Sequence, residues 1–278
     1  MTGHAMTKQA TGRTMIGRTI TRRTARAGRM SLWRLEWLRL VRTPRALALG
    51  LVFAFIGLVE PVATRYESTI IGHLGGRAKV SVPAPTAPAA LNSYVTEVTL
   101  IGLILVVAFA AGAMSFDTRH GLATFLRTRI GSIWQVVTPR FAVNAAAAIV
   151  AYLLGTLGAW YETEVLIGPL PAGGMLAGLL CGAVYFTFAV AVAALAAALV
   201  RSIIGATGTA LAILILLPIA SAIRPVARWL PSALVNAPVD LVNGTQQLTS
   251  FWPAIAVSVA ASAAALLLTA RQLRRREI

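Results

Sequence analysis

The chain has 278 residues, of which 57% are hydrophobic and 12% are charged, and its mean hydropathy is +0.75. Soluble domains carry about 25% charged residues, so this composition argues against a soluble fold and predicts an all-α polytopic membrane protein. The net charge of +16 does not indicate nucleic-acid binding, because the basic residues are scattered between apolar segments and form no basic face with aromatic residues. Cys181 is the single cysteine, which excludes a disulfide framework and a cysteine-based metal site. Lys8 and Lys79 are the only lysines among 25 basic residues, a bias typical of GC-rich genomes, and we expect a bacterial inner (cell) membrane.

The first 30 residues are rich in Thr and Arg and contain no acid. They cannot bury enough apolar surface to fold, so residues 1–30 are predicted to be a disordered basic extension. Two other interpretations are an organellar transit peptide and a natural start at Met30. Residues 31–278 form the predicted transmembrane domain.

An amphipathic helix is predicted directly after this extension, with Ser31 as its N-cap. Tryptophan on one side and arginine on the other is typical of a helix that lies in the membrane interface. Pro44 is expected to begin the first spanning helix. The apolar stripe consists of Trp33, Trp37, Leu40 and Val41, and the basic residues elsewhere on the helix are Arg34, Arg39 and Arg42.

Six apolar runs are long enough to cross a bilayer, whose core of about 30 Å needs about 20 helical residues. Small residues crowd these runs, as expected where helices pack closely in lipid. The predicted spans are residues 45–63, 95–116, 139–160, 174–199, 203–223 and 253–270.

The basic residues predict the orientation. Twenty of the 25 Lys and Arg residues fall in alternate segments on one side of the six spans, and five fall on the other side. Because basic residues are enriched in cytoplasmic loops, both termini are predicted to be cytoplasmic.

The two longer segments on the opposite side differ from each other. Residues 64–94 are predicted to form an irregular proline-rich loop. Residues 224–252 are too apolar for a free loop, so they are predicted to form short extracellular helices between the fifth and sixth spans. These helices are expected to be broken at Pro225, Pro231 and Pro238.

Catalytic motifs are absent from the sequence, including the nucleophile elbow, the zinc-protease helix and the phosphate-binding loop. The three histidines lie in three separate segments, so we expect no metal site and no cofactor bound by this chain. Glu60 lies near the predicted outer end of the first span and is the best candidate for a role in a transport pathway. Without a charged pair in mid-membrane, an ion-coupled carrier is hard to build, and the energy for transport must come from elsewhere.

The stretch SFDTRHGLATFLRTR, residues 115–129, interrupts the apolar sequence between the second and third spans. It combines Asp117, Arg119 and His120 with apolar residues at helical spacing. The order of a basic interfacial helix, a span, a sizeable outer loop, a second span and this charged segment resembles the ABC-2 type permease family, the membrane-spanning subunits of ABC transporters. The resemblance covers residues 31–278, and family members similarly show an acid, a basic residue, a glycine, an apolar helical turn and a basic residue that enters span three. The matching residues are Asp117, Arg119, Gly121, Phe125, Leu126 and Arg140. Departures are Asp117 in place of the more frequent Glu, Ile130-Gly131 in place of a proline, and Ile133 in place of a basic residue.

The resemblance implies that the segment is a coupling helix seated in a groove of a separate ATP-binding subunit, which consumes the ATP. It also implies a second permease copy or a paralogue, and no enzymatic activity in this chain. The residues implied to act in coupling are Asp117, Arg119, Gly121, Leu122, Phe125, Leu126, Arg127 and Arg129.

The apolar pathway favours export of a hydrophobic small molecule, such as an antibiotic or a lipid-like compound, and membrane lipids surround the chain. Alternatives are export of a polysaccharide or lipid-linked glycan, a membrane-embedded lipid-modifying enzyme and an uncoupled channel.

Overall fold

A computed structural model describes residues 33–74, 84–115 and 132–275 of the chain. Within these ranges all regular structure is helical, and six helices are long and apolar enough to cross a membrane. The all-α polytopic fold predicted from composition is therefore confirmed.

The helices are named in chain order. Residues 33–42 form α1, and α3 continues through a π-helical turn, Val98–Gly102, into α4. The remaining bounds are Pro44–Leu74 for α2, Ala87–Glu97 for α3, Leu103–Met114 for α4, Trp134–Leu166 for α5, Ala172–Leu199 for α6, Ile203–Ala220 for α7, Arg224–Ala227 for α8, Ala237–Val242 for α9 and Trp252–Arg275 for α10, with two 3₁₀ turns at Pro231–Leu234 and Leu248–Phe251.

Each of the six predicted spans corresponds to one of the long apolar helical segments. Several of the observed helices are longer than the predicted spans. The predicted spans covered only the apolar residues, whereas the helices continue into the polar sequence beside them. The observed candidate spans are Pro44–Thr69, Ala87–Met114, Trp134–Leu166, Ala172–Leu199, Ile203–Ala220 and Leu248–Arg275.

For residues 64–94 the structure differs from the predicted irregular loop. The first part of this segment continues α2 to Leu74 and its last part belongs to α3. Thr86 caps α3 by accepting a hydrogen bond from the backbone N–H of Ala89 at 3.3 Å, and Pro88 occupies the first turn, where no intrahelical N–H is required. Residues 75–83 of the predicted loop lie outside the described residues.

Close backbone packing joins α2 to α5. A Cβ atom added at Gly57 would overlap the carbonyl oxygen of Gly155, and one added at Gly155 would lie 2.6 Å from the carbonyl oxygen of Phe53. Beside this crossing, the buried hydroxyls of Tyr94 and Thr156 are 2.9 Å apart and hydrogen-bonded. Small residues thus permit the intimate helix contact that lipid-embedded proteins need, as the sequence predicted.

The centre of the bundle is α6. Its Phe186 is buried and packs against Phe53 of α2, Tyr152 of α5 and Tyr185 of its own helix, with ring centroids 5.6, 5.1 and 5.9 Å apart. Offset and edge-on arrangements of this kind are the favoured geometry for aromatic pairs. The core therefore links the first, third and fourth spans.

The predicted short helices between spans five and six are present as α8, α9 and the two 3₁₀ turns. Pro225, Pro231 and Pro238 each occupy a first-turn position, so they begin these elements rather than only breaking them. The short helix α9 packs tightly on α6 because Gly178 has no side chain; a Cβ there would overlap Pro238. We call the region of α8, α9 and the 3₁₀ turns the short-helix end of the bundle, and the region of α1 and the adjoining ends of α4 and α5 the basic end.

Candidate functional site

The predicted coupling residues fall in the segment 116–131, which lies outside the described residues, and their role stays a prediction. The structure does describe the helices on both sides of that segment. On one side, α4 ends at Met114 and is followed by Ser115, whose hydroxyl donates to the carbonyl of Ala111 at 2.8 Å. On the other side, α5 begins at Trp134.

Arg140 joins the two flanking helices to α1. Its side chain is 9% exposed and its Nε donates to Oε1 of Glu36 at 2.8 Å, while Nη1 donates to the carbonyl of Ala113 at 3.2 Å. One guanidinium on α5 therefore holds the C-terminal end of α4 and the middle of α1. We call Glu36, Arg140 and the Ala113 carbonyl the junction.

The planar guanidinium suits this position because its several N–H groups serve two acceptors at fixed angles. Glu36 is only 15% exposed, so both charges depend on each other for stabilisation. Arg39 also contacts Oε1 of Glu36 at 3.3 Å, but its side chain is 55% exposed. The Glu36–Arg140 pair is thus the buried interaction, and the Glu36–Arg39 pair is a surface one.

A cavity of about 380 Å³ adjoins the junction. It lies between α1, α2, α4 and α5, and the first residue of α7 also reaches it. Its walls mix basic and apolar groups. Lining residues include Glu36, Arg39, Arg45, Phe109, Asn144 and Ile203.

A helix, α1, is found where the interfacial helix was predicted, and its position in a membrane interface stays a prediction. Trp33 and Trp37 are about half exposed, which is compatible with contact to a membrane interface. Arg34 is also exposed. Leu40 is half-buried and lines the cavity beside Glu36, so it belongs to the inward side of α1 rather than to the exposed tryptophan stripe. Ser31, the predicted N-cap, lies outside the described residues.

Glu60 is half-buried on α2, and the helix does not end there but continues past Pro61 to Leu74. Glu60 lies nine residues before Thr69, the last residue of the candidate span, and its role in a transport pathway stays a prediction. Its carboxylate is close enough to that of Glu97 on α3 for the two to interact electrostatically. Neither acid has an ion-pair partner in the part of the chain that the structure describes.

The pairing of Glu36 with Arg140 was not predicted from the sequence. The position of Glu36 as the first acid of the chain, within an otherwise basic segment, was the feature that could have identified it as a partner for a buried arginine. In the described ranges, no group of three metal-ligating side chains is present.

Comparisons with known proteins agree with the membrane fold. The chain is 21% identical over 209 residues to an uncharacterized transmembrane protein, YxlG, of Bacillus subtilis (strain 168), an alignment that spans 74% of this chain and 81% of YxlG. No family model matches the chain, and no solved structure matches it. The chain is thus a multi-pass membrane protein that is similar to another transmembrane protein.

Proposed function

We propose that this chain is the membrane-spanning subunit of an ATP-driven exporter that moves a hydrophobic small molecule, such as an antibiotic or a lipid-like compound. ATP is hydrolysed in a separate ATP-binding subunit, and a second permease copy or a paralogue completes the transporter. The basic end faces the cytoplasm of a bacterial cell, in accordance with the distribution of basic residues between the spans.

The observation that carries this proposal is the position of the junction. The segment 116–131 leads to α4 on its N-terminal side and to α5 on its C-terminal side. A force applied to the segment therefore reaches the spanning helices through α4 and α5. Arg140 connects these ends to each other and to α1. A rigid connection at this point allows movement of the segment to tilt the helices instead of being absorbed by local bending.

The rest of the bundle supports transmission over a longer distance. From Arg140, α5 continues to its backbone crossing with α2 at Gly155. Since packed helices transmit displacement better than flexible loops, the first and third spans are expected to move together. The proposal therefore gives α1, α2 and α5 a shared motion when ATP is consumed.

The test uses the chain purified together with its ATP-binding partner and reconstituted in vesicles. Phe125→Asp/Leu126→Asp places charge on the apolar stripe of the predicted coupling helix, and we expect loss of co-purification and of ATP-dependent export. The matched control is Thr124→Asp/Thr128→Asp, which adds the same charge on the opposite side of that predicted helix and should retain the complex.

Two results would contradict the proposal. One is an intact complex with undiminished ATP-dependent transport in the Phe125→Asp/Leu126→Asp variant. The other is substrate turnover by the purified chain alone, which would instead support a membrane-embedded enzyme acting on lipids.

A further inference from the structure

A second cavity, of about 560 Å³, lies at the short-helix end. It is bounded by the π-helical turn of the second span, the last turn of α7 and the short helices. Its volume is in the range of sites that bind small ligands, about 300–1,000 Å³. Lining residues include Leu100, Pro218, Arg228, Ser232, Asp240 and Phe251.

A buried hydroxyl in the cavity wall has no partner. Ser232 is 7% exposed, and its Oγ makes no hydrogen bond with any described residue. A buried polar group without a partner costs roughly 1–3 kcal/mol, so native structures rarely leave one without a reason. A bound molecule with a hydrogen-bonding group would satisfy it.

Two opposite charges line the same cavity without pairing. Neither Arg228 nor Asp240 takes part in an ion pair within the described ranges. Arg228 stacks over the ring of Trp229, with its Cζ 5.7 Å from the ring centroid, and Asp240 accepts a 3.3 Å hydrogen bond from Gln246. Asp240 is half-buried, and this partial burial raises the pKa of its carboxyl above its usual value.

The remaining wall mixes polar and apolar side chains, and some of the apolar ones are exposed on the surface of the bundle. Leu100 is 57% exposed, and Pro218 is exposed at the end of α7. Leu100 lies in the π-helical turn, a local distortion often found at functional sites. The cavity thus combines two opposite charges with apolar side chains that are exposed on the surface of the bundle.

We propose that this cavity binds the head of a zwitterionic amphiphile that carries an ammonium and a phosphate group, as in phosphatidylethanolamine. Asp240 accepts hydrogen bonds from the ammonium, Arg228 pairs with the phosphate, and Ser232 donates its hydroxyl hydrogen to a head-group oxygen. The acyl chains leave along Leu100 and Pro218. This binding site does not depend on the proposed ATP-driven export, and its test needs no ATP-binding subunit.

The experiment uses the full chain in lipid nanodiscs that contain a photoactivatable phosphatidylethanolamine with a diazirine near its head group. Cross-linked peptides are identified by mass spectrometry. We expect labelling of the peptides that contain Ser232 and Asp240, which line the proposed head-group site, and clearly less labelling by a matched phosphatidylglycerol probe, which has no ammonium group.

Variants separate the contributions of the three polar residues. Loss of a hydrogen bond to a charged group corresponds to about tenfold weaker binding, so Asp240→Asn should reduce phosphatidylethanolamine labelling about tenfold. Arg228→Gln should reduce labelling by both probes. The matched controls are Glu67→Gln and Arg65→Gln, which make the same charge changes at exposed positions of α2 that do not line the cavity, and they should label normally.

Ser232→Ala distinguishes a ligand site from a structural role. Because Ser232 Oγ has no partner in the described protein, its removal relieves the cost of an unsatisfied buried group, so the thermal unfolding midpoint of the delipidated protein should not fall while the labelling does. Excess soluble glycerophosphoethanolamine identifies the source of the ligand. If the soluble compound displaces the probe, the head group alone is sufficient for binding and the site can also take a water-soluble ligand. If it does not displace the probe, the site is assigned to a membrane lipid.

Equal labelling by the two probes, together with unchanged labelling in Asp240→Asn and Ser232→Ala, would overturn the proposal.

Discussion

The two ends of the bundle use polar residues in opposite ways. At the basic end, Glu36, Arg140 and the Ala113 carbonyl satisfy one another across three helices. At the short-helix end, Arg228, Ser232 and Asp240 surround a cavity without pairing with each other. Polar groups that satisfy one another fix a structure, while a buried hydroxyl without a partner and two charges without an ion pair favour an additional binding partner. The comparison agrees with the proposed transmission of movement at the basic end and with the proposed ligand binding at the short-helix end.

The largest effect is expected from removing the buried cation of the junction. Arg140→Ala leaves Glu36 without its buried partner, and breaking a buried ion pair from one side costs about 3–5 kcal/mol. The free energy of unfolding, measured by denaturant titration in detergent, should fall by about that amount.

The control for this prediction removes both charges. Because an apolar pair of similar size often replaces a buried ion pair with little loss, Glu36→Leu/Arg140→Leu should recover most of the stability. A double variant as unstable as Arg140→Ala would show that the ion pair is not what stabilises the basic end.

A smaller loss is expected from crowding the short-helix end. Gly178→Leu places a side chain where a Cβ already overlaps Pro238, so α9 must shift, and overpacking of this kind costs about 1–3 kcal/mol. The displaced helix carries Asp240, and phosphatidylethanolamine labelling should fall together with the unfolding midpoint.

Gly173→Leu is the matched control for this crowding. Gly173 belongs to the same helix, but a Cβ there has no neighbour within 4 Å, so stability and labelling should stay near those of the natural chain. Equal losses in the two variants would mean that helix α6 itself, rather than its contact with α9, is sensitive to substitution.

The smallest effect is expected at the exposed branch of the junction. Arg39→Gln removes the 3.3 Å contact of a largely exposed arginine with Glu36, and such surface pairs contribute about 0–1 kcal/mol. The same denaturant titration should detect little change, and that change should shrink further at high salt. A loss as large as that of Arg140→Ala would contradict the division between a buried and a surface pair.

Much of the fold was predictable from the sequence because a bilayer imposes a simple length and polarity rule. All six apolar segments were found, as was α1. The ends were less predictable: α2 continues through Arg65 and Glu67 toward Leu74, since a polar sequence remains helical once the helix has begun.

The candidate sites were less predictable because they depend on residues far apart in the chain. Glu36 and Arg140 are separated by 104 positions, and neither residue type by itself indicates a buried pair. The cavity at the short-helix end combines the second span with elements that follow the fifth span. Nothing in the sequence distinguishes Ser232 from the other serines. Whether a hydroxyl finds a hydrogen-bond partner depends on the residues that surround it in the folded protein.

The backbone crossing at Gly57 and Gly155 has a consequence for how such a chain can change over time. A side chain at Gly57 would overlap the backbone of Gly155, and a side chain at Gly155 would overlap the backbone of Phe53, so neither position accepts a larger residue while the opposing helix stays where it is. Substitutions at the two sites are therefore tolerated only in combination with a shift of one span, and variants that keep the bundle intact should retain the smallest residue at both positions.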